Sequence, residues 1–467
     1  MPHYNKQKEK TPMPELPAGQ RIDSFDEVAL GYAFEDAMNE ANRCIHCPTE
    51  PCADGCPVGV PISAFVAKVA EGDFAQAYAL VKGTNSLPAI CGRVCPQETQ
   101  CEGRCTRGKK GDPVAIGHLE RFVADWAFAH PEEAAQPLLP LCKEKRVAIV
   151  GSGPASLTCA SELVKQGVLV TVFEALHLAG GVLSYGIPEF RLPKGLVAHE
   201  IDGLKKKGVK FELNSFIGRL YSIEELRESQ GFDAVFIGTG AGSPVYLGIE
   251  GEGLNGVMAA SELLTRVNLM KAYEFPRYAT PVYAGRHCVV VGGGNVAMDA
   301  ARTARRLGAE VTVVYRRTEA EMPARAEEVH HAKEEGISFQ MLANPTRVLG
   351  NSEGWACGLE CVRMELGEPD ESGRRSPVEV EGSTFVIDID MMVVAIGSRV
   401  NPLIAQTTPG LEVSPRGLVV VDGESCATSI PGVYAGGDVT QGSATVILAM
   451  GAGKRAAAGI LAYLGHH

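Results

Sequence analysis

Cysteines crowd together near the start of the chain, where eight of the 14 fall between Cys44 and Cys105. They form two groups, Cys44-x2-Cys47-x4-Cys52-x3-Cys56 and Cys91-x3-Cys95-x4-Cys101-x3-Cys105. A proline directly follows both Cys56 and Cys95. Closely spaced cysteines let one segment supply several thiolates to one cluster, and Cys-Pro pairs are typical of segments that bind four-iron clusters. The spacing therefore favours two 4Fe-4S clusters.

Two other interpretations of these cysteines remain open. A pair of structural zinc sites would also use four cysteines each, but the x4 and x3 gaps and the Cys-Pro pairs favour iron. Eight unligated buried thiols are the least favoured interpretation. On spacing alone, Cys91 would complete the second group of ligands.

A glycine-rich turn, GSGPAS, follows a short apolar run at residues 147–150. A helical pattern and a second apolar run, 168–173, come next, and that run ends on an acid. The glycines permit a tight turn and close approach of backbone N–H groups to a pyrophosphate, the helix N-terminus attracts its charge, and the acid can accept ribose hydroxyls. Ser156 replaces the third glycine, which predicts a looser contact between helix and strand. The candidate binding residues are Gly151, Gly153, Pro154, Ala155 and Glu174.

A second nucleotide unit begins with the apolar run 288–291 and turns through three glycines into a helical pattern, 295–307. The following strand pattern, 311–315, ends on two arginines where a site for NAD would carry an acid. Guanidinium groups pair well with a 2'-phosphate, so the unit is predicted to prefer NADP(H). A solvated pair of charges is the alternative. The candidate residues are Gly292, Gly294, Asn295, Val296, Arg316 and Arg317.

Composition limits the function further. A chain of 467 residues is too long for one core and predicts two to four domains. A net charge of -12 argues against a nucleic-acid partner. The first 20 residues are polar and proline-rich, and no uncharged apolar run reaches 18 residues, so we expect a cytoplasmic protein without a membrane partner.

Several longer stretches resemble one family. Residues 43–126, including LPAICGRVCPQETQCEGRC and VAIGHLERFVADW, together with YGIPEFRLP and RRTEAEMPA, are similar to the glutamate synthase small-subunit family. That group includes the large subunit of NADH-dependent ferredoxin:NADP oxidoreductase and the N-terminal part of dihydropyrimidine dehydrogenase. The resemblance extends over about residues 26–462. It implies an α/β fold with two Rossmann-like dinucleotide-binding domains, for FAD and NADPH, preceded by an α-helical domain with two 4Fe-4S clusters.

The resemblance also implies how the clusters are held. One cluster would be bound by Cys44, Cys47, Cys52 and Cys105. The other would be bound by Cys56, Cys95, Cys101 and a side-chain oxygen of Glu120. Cys91 would then be a buried bystander. The alternative for the glutamate is a solvated helix acid.

The flavin site implied by the resemblance draws on distant parts of the chain. The segment 176–194 would line the flavin, although a glycine-rich structural loop is the alternative. Two further strand patterns, 232–237 and 433–435, end in glycines, and an acid after the second is placed to bind ribityl hydroxyls. A helical pattern, 442–464, could face the ring with its N-terminus. The candidate residues are Gly181, Arg191, Gly240, Gly437, Asp438 and Thr445.

The predicted domains follow from these units. They are an iron–sulfur domain at 1–143, FAD-binding segments at 144–284 and 391–467, and an inserted NADP(H)-binding domain at 285–390. Residues 345–385 are expected to form an exposed β-meander, and His330 and His331 to lie on the surface. Cys142 and Cys159 are expected to serve packing.

The predicted function is a relay. A nicotinamide transfers two electrons as hydride, a cluster accepts one, and a flavin can do both. We therefore expect a subunit that relays electrons between NADP(H), FAD and two clusters, to or from a partner redox protein in a hetero-oligomer. No acid–base side chain is assigned. By resemblance the partner is the glutamate synthase large subunit or, alternatively, a smaller ferredoxin- or NAD-linked flavoprotein subunit. A free-standing diaphorase with a structural docking module is an alternative of another class.

Overall fold

The computed structural model describes residues 4–133, 145–369 and 375–465. Cys142 and the boundary predicted at 143/144 lie outside these residues. The first described range is helical, with short 3-10 turns at Gln97–Thr99 and Thr106–Lys109. Its helices are Ala18–Arg21, Phe34–Ala41, Pro51–Asp54, Ile62–Glu71, Phe74–Thr84, Pro88–Val94 and Ile116–Ala129.

The helices of the first described range are positioned by their apolar faces and by the residues at their ends. Phe65, Val66 and Val69 lie on one side of Ile62–Glu71 and are fully buried. Gly72 ends that helix with φ of 78°, the left-handed conformation that glycine adopts readily. Asp73 then caps the next helix by accepting a hydrogen bond from the Gln76 backbone N–H at 3.2 Å. Two antiparallel helices are therefore joined by a very short turn.

The first sheet consists of five parallel strands. Their spatial order is Val433–Ala435, Ala234–Ile237, Arg146–Val150, Leu169–Phe173 and Lys210–Glu212. The central strands are buried along their length, as expected for a parallel sheet covered on both faces. The helices of this region are Pro154–Lys165, Val182–Tyr185, Lys194–Lys206, Ile223–Glu228, Leu403–Gln406, Asp438–Gln441 and Val446–Gly465.

The second sheet also has five parallel strands. Their order is Val257–Ala259, Met391–Val394, His287–Val291, Glu310–Tyr315 and Ser338–Met341. Its helices are Ala260–Leu264, Asn295–Arg306 and Ala326–Glu334, with a π-helical turn at Thr265–Leu269 and 3-10 turns at Ala272–Glu274 and Glu319–Glu321.

The strand Met391–Val394 corrects two predicted domain boundaries. It was expected to open the returning flavin segment, but it pairs with His287–Val291 inside the second sheet. Val257–Ala259 joins the same sheet from the other side, although it precedes the boundary predicted at 284/285. A short apolar run has the same pattern in either parallel sheet, so its sequence does not show which sheet it joins. The chain crosses back through the antiparallel pair Ser243–Pro244 and Ser398–Arg399.

The antiparallel strands predicted at 345–385 are present, but the last strand pairs with the second rather than the third, and one face of the meander is buried. Its antiparallel strands are Ala343–Gly350, Ala356–Pro369, Arg375–Glu379 and Phe385–Asp388. Val348 and Leu359 pack from it into one cluster with Val289 and Val291 of the second sheet. The meander therefore covers one face of that sheet.

The C-terminal helix, Val446–Gly465, is long and apolar enough by length and composition to cross a membrane. In this fold it packs in the core, where Ile447, Met450 and Ile460 are buried. At Gly453 a Cβ would lie 2.1 Å from the Ala155 carbonyl oxygen. Only glycine permits this approach, which brings the helix against the first nucleotide helix.

Candidate functional site

The first cysteine group closes around one small cavity. Cys44, Cys47, Cys52 and Cys105 line it together, although Cys105 is far along the chain. Burial, together with the neighbouring Cys105 thiol, raises the pKa of Cys44 and of Cys52 to about 11. Thiols gathered in this way become good ligands only when positive charge arrives to stabilise the thiolates. This donor set fits a metal cluster.

The second group gathers Cys56, Cys95 and Cys101 around Glu120. Burial raises the pKa of Cys56 and of Cys101, and the carboxylate of Glu120 adds to both shifts. Glu120 is 9% exposed, so it is not a solvated helix acid. Burial raises its own pKa to about 8. When they are deprotonated, the three thiolates and the carboxylate repel one another. A cationic cluster would stabilise all four as ligands.

Cys91 lies beside the second group. It is fully buried, and its thiol hydrogen-bonds with the Cys95 thiol, which is the main reason that the pKa of Cys95 is raised. Its sulfur also lies 3.7 Å from Asn85 Oδ1 and 3.4 Å from Met450 Sδ. Cys91 therefore already has partners in the surrounding core.

The first glycine turn forms a cradle that side chains would block. Gly151 has φ of +92°, and a Cβ there would lie 2.6 Å from the Gly238 carbonyl oxygen. A Cβ on Gly181 would lie 2.8 Å from Gly153 Cα. By contrast, a Cβ on Gly153 would meet nothing within 4 Å. The turn is therefore tight on the protein side and open on the other, at the N-terminus of Pro154–Lys165, where Pro154 and Ala155 begin the helix.

Glu174 fastens this turn. Its carboxylate accepts hydrogen bonds from the Ser152 backbone N–H at 3.0 Å and hydroxyl at 2.5 Å, and from the Leu176 N–H at 2.8 Å. The Ser152 hydroxyl also accepts from the Gly180 N–H at 2.9 Å. The acid predicted to bind ribose thus also joins the first turn to the glycine loop at 180. No pattern in the sequence indicates the part played by Ser152, because its partners Glu174 and Gly180 are more than 20 residues away.

Ser156 does not loosen the helix–strand contact. It is fully buried, and its hydroxyl lies 3.5 Å from the Gly238 carbonyl oxygen. A Cβ on Gly238 would lie 2.2 Å from this hydroxyl. The prediction of a looser contact is wrong because the neighbouring strand carries a glycine that makes room for the serine.

The C-terminal part completes the first cradle. Gly437 has φ of +80°, and its Cβ would lie 3.0 Å from that of Ala155, so Asp438 is held near the N-terminus of the first nucleotide helix. Asp438 accepts a hydrogen bond from the Ala444 N–H at 3.2 Å, and burial raises its pKa. Gly240 faces open space. Thr445 Oγ1 accepts from the Leu448 N–H at 3.4 Å at the start of the last helix.

Arg191 is not placed as a flavin ligand. Its guanidinium is buried and pairs with Asp299 at 2.7 Å and Glu328 at 2.7 Å, both on helices of the second sheet. Glu328 also pairs with Arg302. The prediction for Arg191 is corrected accordingly: this side chain ties the flavin segment to the nicotinamide region.

The second glycine turn is built like the first. Gly292 has φ of +146°, and a Cβ there would lie 2.3 Å from the Ala395 carbonyl oxygen, whereas Gly294 has only a Pro323 side-chain atom at 4.0 Å. Asn295 Oδ1 accepts a hydrogen bond from the Arg325 N–H at 3.0 Å. Val296 is 48% exposed beside it. The open side of this turn fits a second pyrophosphate.

The two arginines after Glu310–Tyr315 have different environments. Arg316 is exposed. Arg317 is 8% exposed, and its Nε donates to the Arg375 carbonyl oxygen at 2.9 Å. Arg316 therefore lies at the surface directly after this strand, whereas Arg317 holds the meander.

His331 corrects the prediction of two surface histidines. His330 is exposed, but His331 is buried, with Nε2 3.1 Å from Glu15. Glu15, His331 and Glu334 lie close enough to suggest a metal site. Arg21, however, pairs with Glu15 at 2.8 Å and Glu334 at 2.7 Å, so the cluster already contains its cation. These contacts bind the N-terminal segment that contains Glu15 and Arg21 to the helix Ala326–Glu334 beside the second sheet.

Comparison with known proteins agrees with this architecture. Residues 21–132 match the family of dihydropyrimidine dehydrogenase domain II, 4Fe-4S cluster, and residues 145–453 match the pyridine nucleotide-disulphide oxidoreductase family. FprA of Mycobacterium tuberculosis in complex with NADPH has the same fold, with a TM-score of 0.57 and 21% identity over 69% of this chain and 85% of that one.

Two relatives that match over nearly their full length have a higher sequence identity to this chain than FprA has. The glutamate synthase (NADPH) small chain of Halomonas elongata is 40% identical over 453 residues, which are 96% of this chain and 95% of the relative. That of Escherichia coli K12 is 36% identical over 97% of this chain and 96% of its own. The beta subunit of an NADP(+)-dependent formate dehydrogenase from Moorella thermoacetica is 39% identical over 89% of this chain, which spans 60% of that relative. This chain therefore belongs to the glutamate synthase small-chain family of NADPH-dependent iron-sulfur flavoprotein oxidoreductase subunits.

Proposed function

We propose that the chain relays electrons between NADP(H) and a partner redox protein through FAD and two 4Fe-4S clusters, which the two cysteine groups bind. The observation that carries this proposal is the contact between the second cysteine group and the helix that completes the flavin cradle. Met450 of that helix touches Cys91, and a Cβ on Gly451 would lie 3.1 Å from the carbonyl oxygen of Pro57, next to Cys56. One helix thus borders both sites.

The proposed ligand sets follow the two groups. Cys44, Cys47, Cys52 and Cys105 hold the first cluster, and Cys56, Cys95, Cys101 and Glu120 hold the second. Cys95 and Glu120 of the second group are buried and this group adjoins the cradle, whereas all four cysteines of the first group are partly exposed. The first cluster is therefore the one nearer the partner.

The nucleotide sites divide between the two glycine turns. FAD lies on the first, with the pyrophosphate at Gly151 and Gly153 and with Asp438 near the flavin. NADP(H) lies on the second, with Asn295 at the helix N-terminus and Arg316 near the 2'-phosphate. When bound, the nicotinamide supplies electron pairs, the clusters accept single electrons, and the flavin exchanges both.

The residues of the chain position these groups. Glu174 holds the first turn in shape through Ser152. Arg191 holds the nicotinamide region against the flavin segment through Asp299. The buried ion pairs limit relative movement of the two sheets, since breaking them would leave charges unpaired in the core.

We further propose that the working unit is a cytoplasmic hetero-oligomer. Relatives of this chain are named as subunits or chains of larger enzymes. We propose the glutamate synthase large subunit as the partner, because this chain aligns with nearly the whole length of two glutamate synthase small chains.

Purification under argon tests the proposal. We expect FAD and roughly eight irons per chain, together with a co-purifying large subunit that mass spectrometry identifies as a glutamate synthase component. A smaller flavoprotein in its place would contradict the proposed partner. A pure single chain that turns over fully with NADPH and dyes would contradict the hetero-oligomer.

A further inference from the structure

Two segments beside the first cysteine group carry a concentration of positive charge. Residues 4–10 lie against residues 104–112, where the Asp112 N–H donates to the Lys8 carbonyl oxygen at 2.9 Å and a Cβ on Gly111 would lie 2.7 Å from the same oxygen. The two segments therefore form one continuous surface. Its exposed basic side chains, which we call the basic patch, are Lys6, Lys8, Lys10, Arg104, Lys109 and Lys110.

The charge of the basic patch is opposite to that of the chain as a whole. The chain has 44 basic and 56 acidic residues, which give a net charge of -12. The acids within the two segments are Glu9 and Asp112, and Asp112 accepts a hydrogen bond from the Lys10 backbone N–H at 3.1 Å. Other exposed lysines pair with an acid, as Lys205 does with Asp202 at 2.9 Å. Among the described residues, no side chain of the basic patch forms an ion pair, so its charge is available to a partner.

The basic patch borders the cavity that the first cysteine group lines. Arg107 lines this cavity with Cys105, and its guanidinium donates to the Tyr4 hydroxyl at 2.9 Å and to the Gln7 carbonyl oxygen. Arg107 thus joins both segments to the cavity. Ile45 lines the same cavity and is 41% exposed. An apolar centre with a polar rim is the usual composition of a protein interface, and charges on the rim chiefly speed association.

We propose that the basic patch is the docking surface for the glutamate synthase large subunit, which would present an acidic face around its own redox centre. This inference rests on the proposed function, because it takes the first cluster as the one nearer the partner. Opposite charges would steer the two proteins together with the first cluster facing the acceptor, and Ile45 would make apolar contact at the centre. The excess of acids over the rest of the chain would disfavour other orientations of the same partner.

Association of the argon-purified holoprotein with separately prepared glutamate synthase large subunit, followed by surface plasmon resonance, tests the proposal. At about 0.01 M ionic strength, Lys109→Glu/Lys110→Glu should lower the association rate at least about tenfold. At about 0.15 M the difference should shrink, because salt screens exposed charges. Lys109→Gln/Lys110→Gln should lie between this variant and the wild type. The matched control is Lys206→Glu/Lys210→Glu, an equal change of charge at exposed positions far from the cysteines in sequence, and it should associate normally.

Cluster reduction by NADPH, measured in the same preparations, separates this inference from the proposed function. Clusters that NADPH does not reduce, with association that still depends on the basic patch, would contradict the relay and leave the docking surface standing. Equal association rates in the patch and control variants, or a wild-type rate independent of salt, would overturn the docking surface even if the relay works. Binding to phosphatidylserine vesicles that Lys109→Glu/Lys110→Glu abolishes, without binding to the large subunit, would assign the surface to a membrane and also overturn the proposal.

Discussion

The side-chain amide of Asn85 donates a hydrogen bond of 2.5 Å to the carboxylate of Glu120, and the thiol of Cys91 lies 3.7 Å from the oxygen of the same amide. Asn85 therefore stands between the proposed oxygen ligand and the cysteine that spacing alone would select. Its N–H group orients the Glu120 carboxylate, whereas its oxygen accepts from the S–H of Cys91, a hydrogen bond that a metal-bound thiolate would not donate. This arrangement favours Glu120 as the ligand.

Substitution of these residues should separate their roles. We expect Cys91→Ala to keep the full iron content, roughly eight per chain, because Cys91 lies outside the proposed ligand set and its thiol only hydrogen-bonds to the ligand Cys95 and to core groups. Glu120→Ala should lose or convert the second cluster, seen in iron analysis and in the electron paramagnetic resonance of reduced protein. Cys95→Ala is the positive control. Loss of iron in Cys91→Ala together with normal iron in Glu120→Ala would contradict the proposed ligand set.

The two arginines should differ in effect. Arg316→Glu should raise the KM for NADPH by at least about tenfold, while that for NADH changes little, because the lost guanidinium is the one that we propose to bind the 2'-phosphate. Arg317→Glu should mainly lower thermal stability, since this side chain is buried against the Arg375 carbonyl. Steady-state kinetics with both nucleotides and thermal melting check the pair. If Arg316→Glu leaves the nucleotide preference unchanged, the assignment is wrong.

The Arg191–Asp299 pair makes stability depend on pH in a definite direction. Burial raises the pKa of Asp299 from 3.8 to about 6, and Arg191 opposes this shift. The folded state therefore binds more protons than the unfolded state between these values, and stability falls as pH rises until it levels off near 6. Without Arg191 the folded pKa rises further, so the loss continues above pH 6.

We therefore expect the melting temperature of Arg191→Met to fall further below that of the wild type between pH 6 and pH 8. At neutral pH the loss of one partner from a buried pair costs about 3–5 kcal/mol. In an Asp299→Asn background the gap should not widen with pH. A gap that is constant with pH in the single variant would show that Asp299 does not titrate in this way.

Glu174 should control flavin retention. Glu174→Ala removes the acceptor for two Ser152 donors and for the Leu176 N–H, so the first turn loses its fixed shape. We expect FAD to dissociate at least about tenfold more readily, measured by flavin fluorescence after dilution. Ser152→Ala keeps the backbone N–H bond and should have a smaller effect. Equal FAD affinity in Glu174→Ala and the wild type would rule out this role.

Features with local causes could be predicted from the sequence. The glycine turns, the strands before them and the meander follow from residues within a few positions of each other. The cysteine pattern likewise indicates clusters, although the partition into two sets came from resemblance. The spacing of apolar residues and glycines along the sequence is sufficient to predict these turns and strands.

The failures all involve partners distant in sequence. Nothing near His331 indicates that Glu15 will bury it, and nothing near Arg191 indicates Asp299. Ser156 packs well because of Gly238, which directly follows the strand Ala234–Ile237. Met391–Val394 joins the second sheet because of its neighbours there, which an apolar run cannot specify. Such contacts form only when distant segments come together in the fold, so the local pattern of one sequence does not predict them.

Anaerobic titration with NADPH, followed by absorbance, tests the central claim most directly. We expect the flavin band and the broad cluster absorbance near roughly 400 nm to bleach together, with more electrons taken up per chain than one flavin can hold. Bleaching of the flavin alone, with the cluster absorbance unchanged at excess NADPH, would contradict the relay.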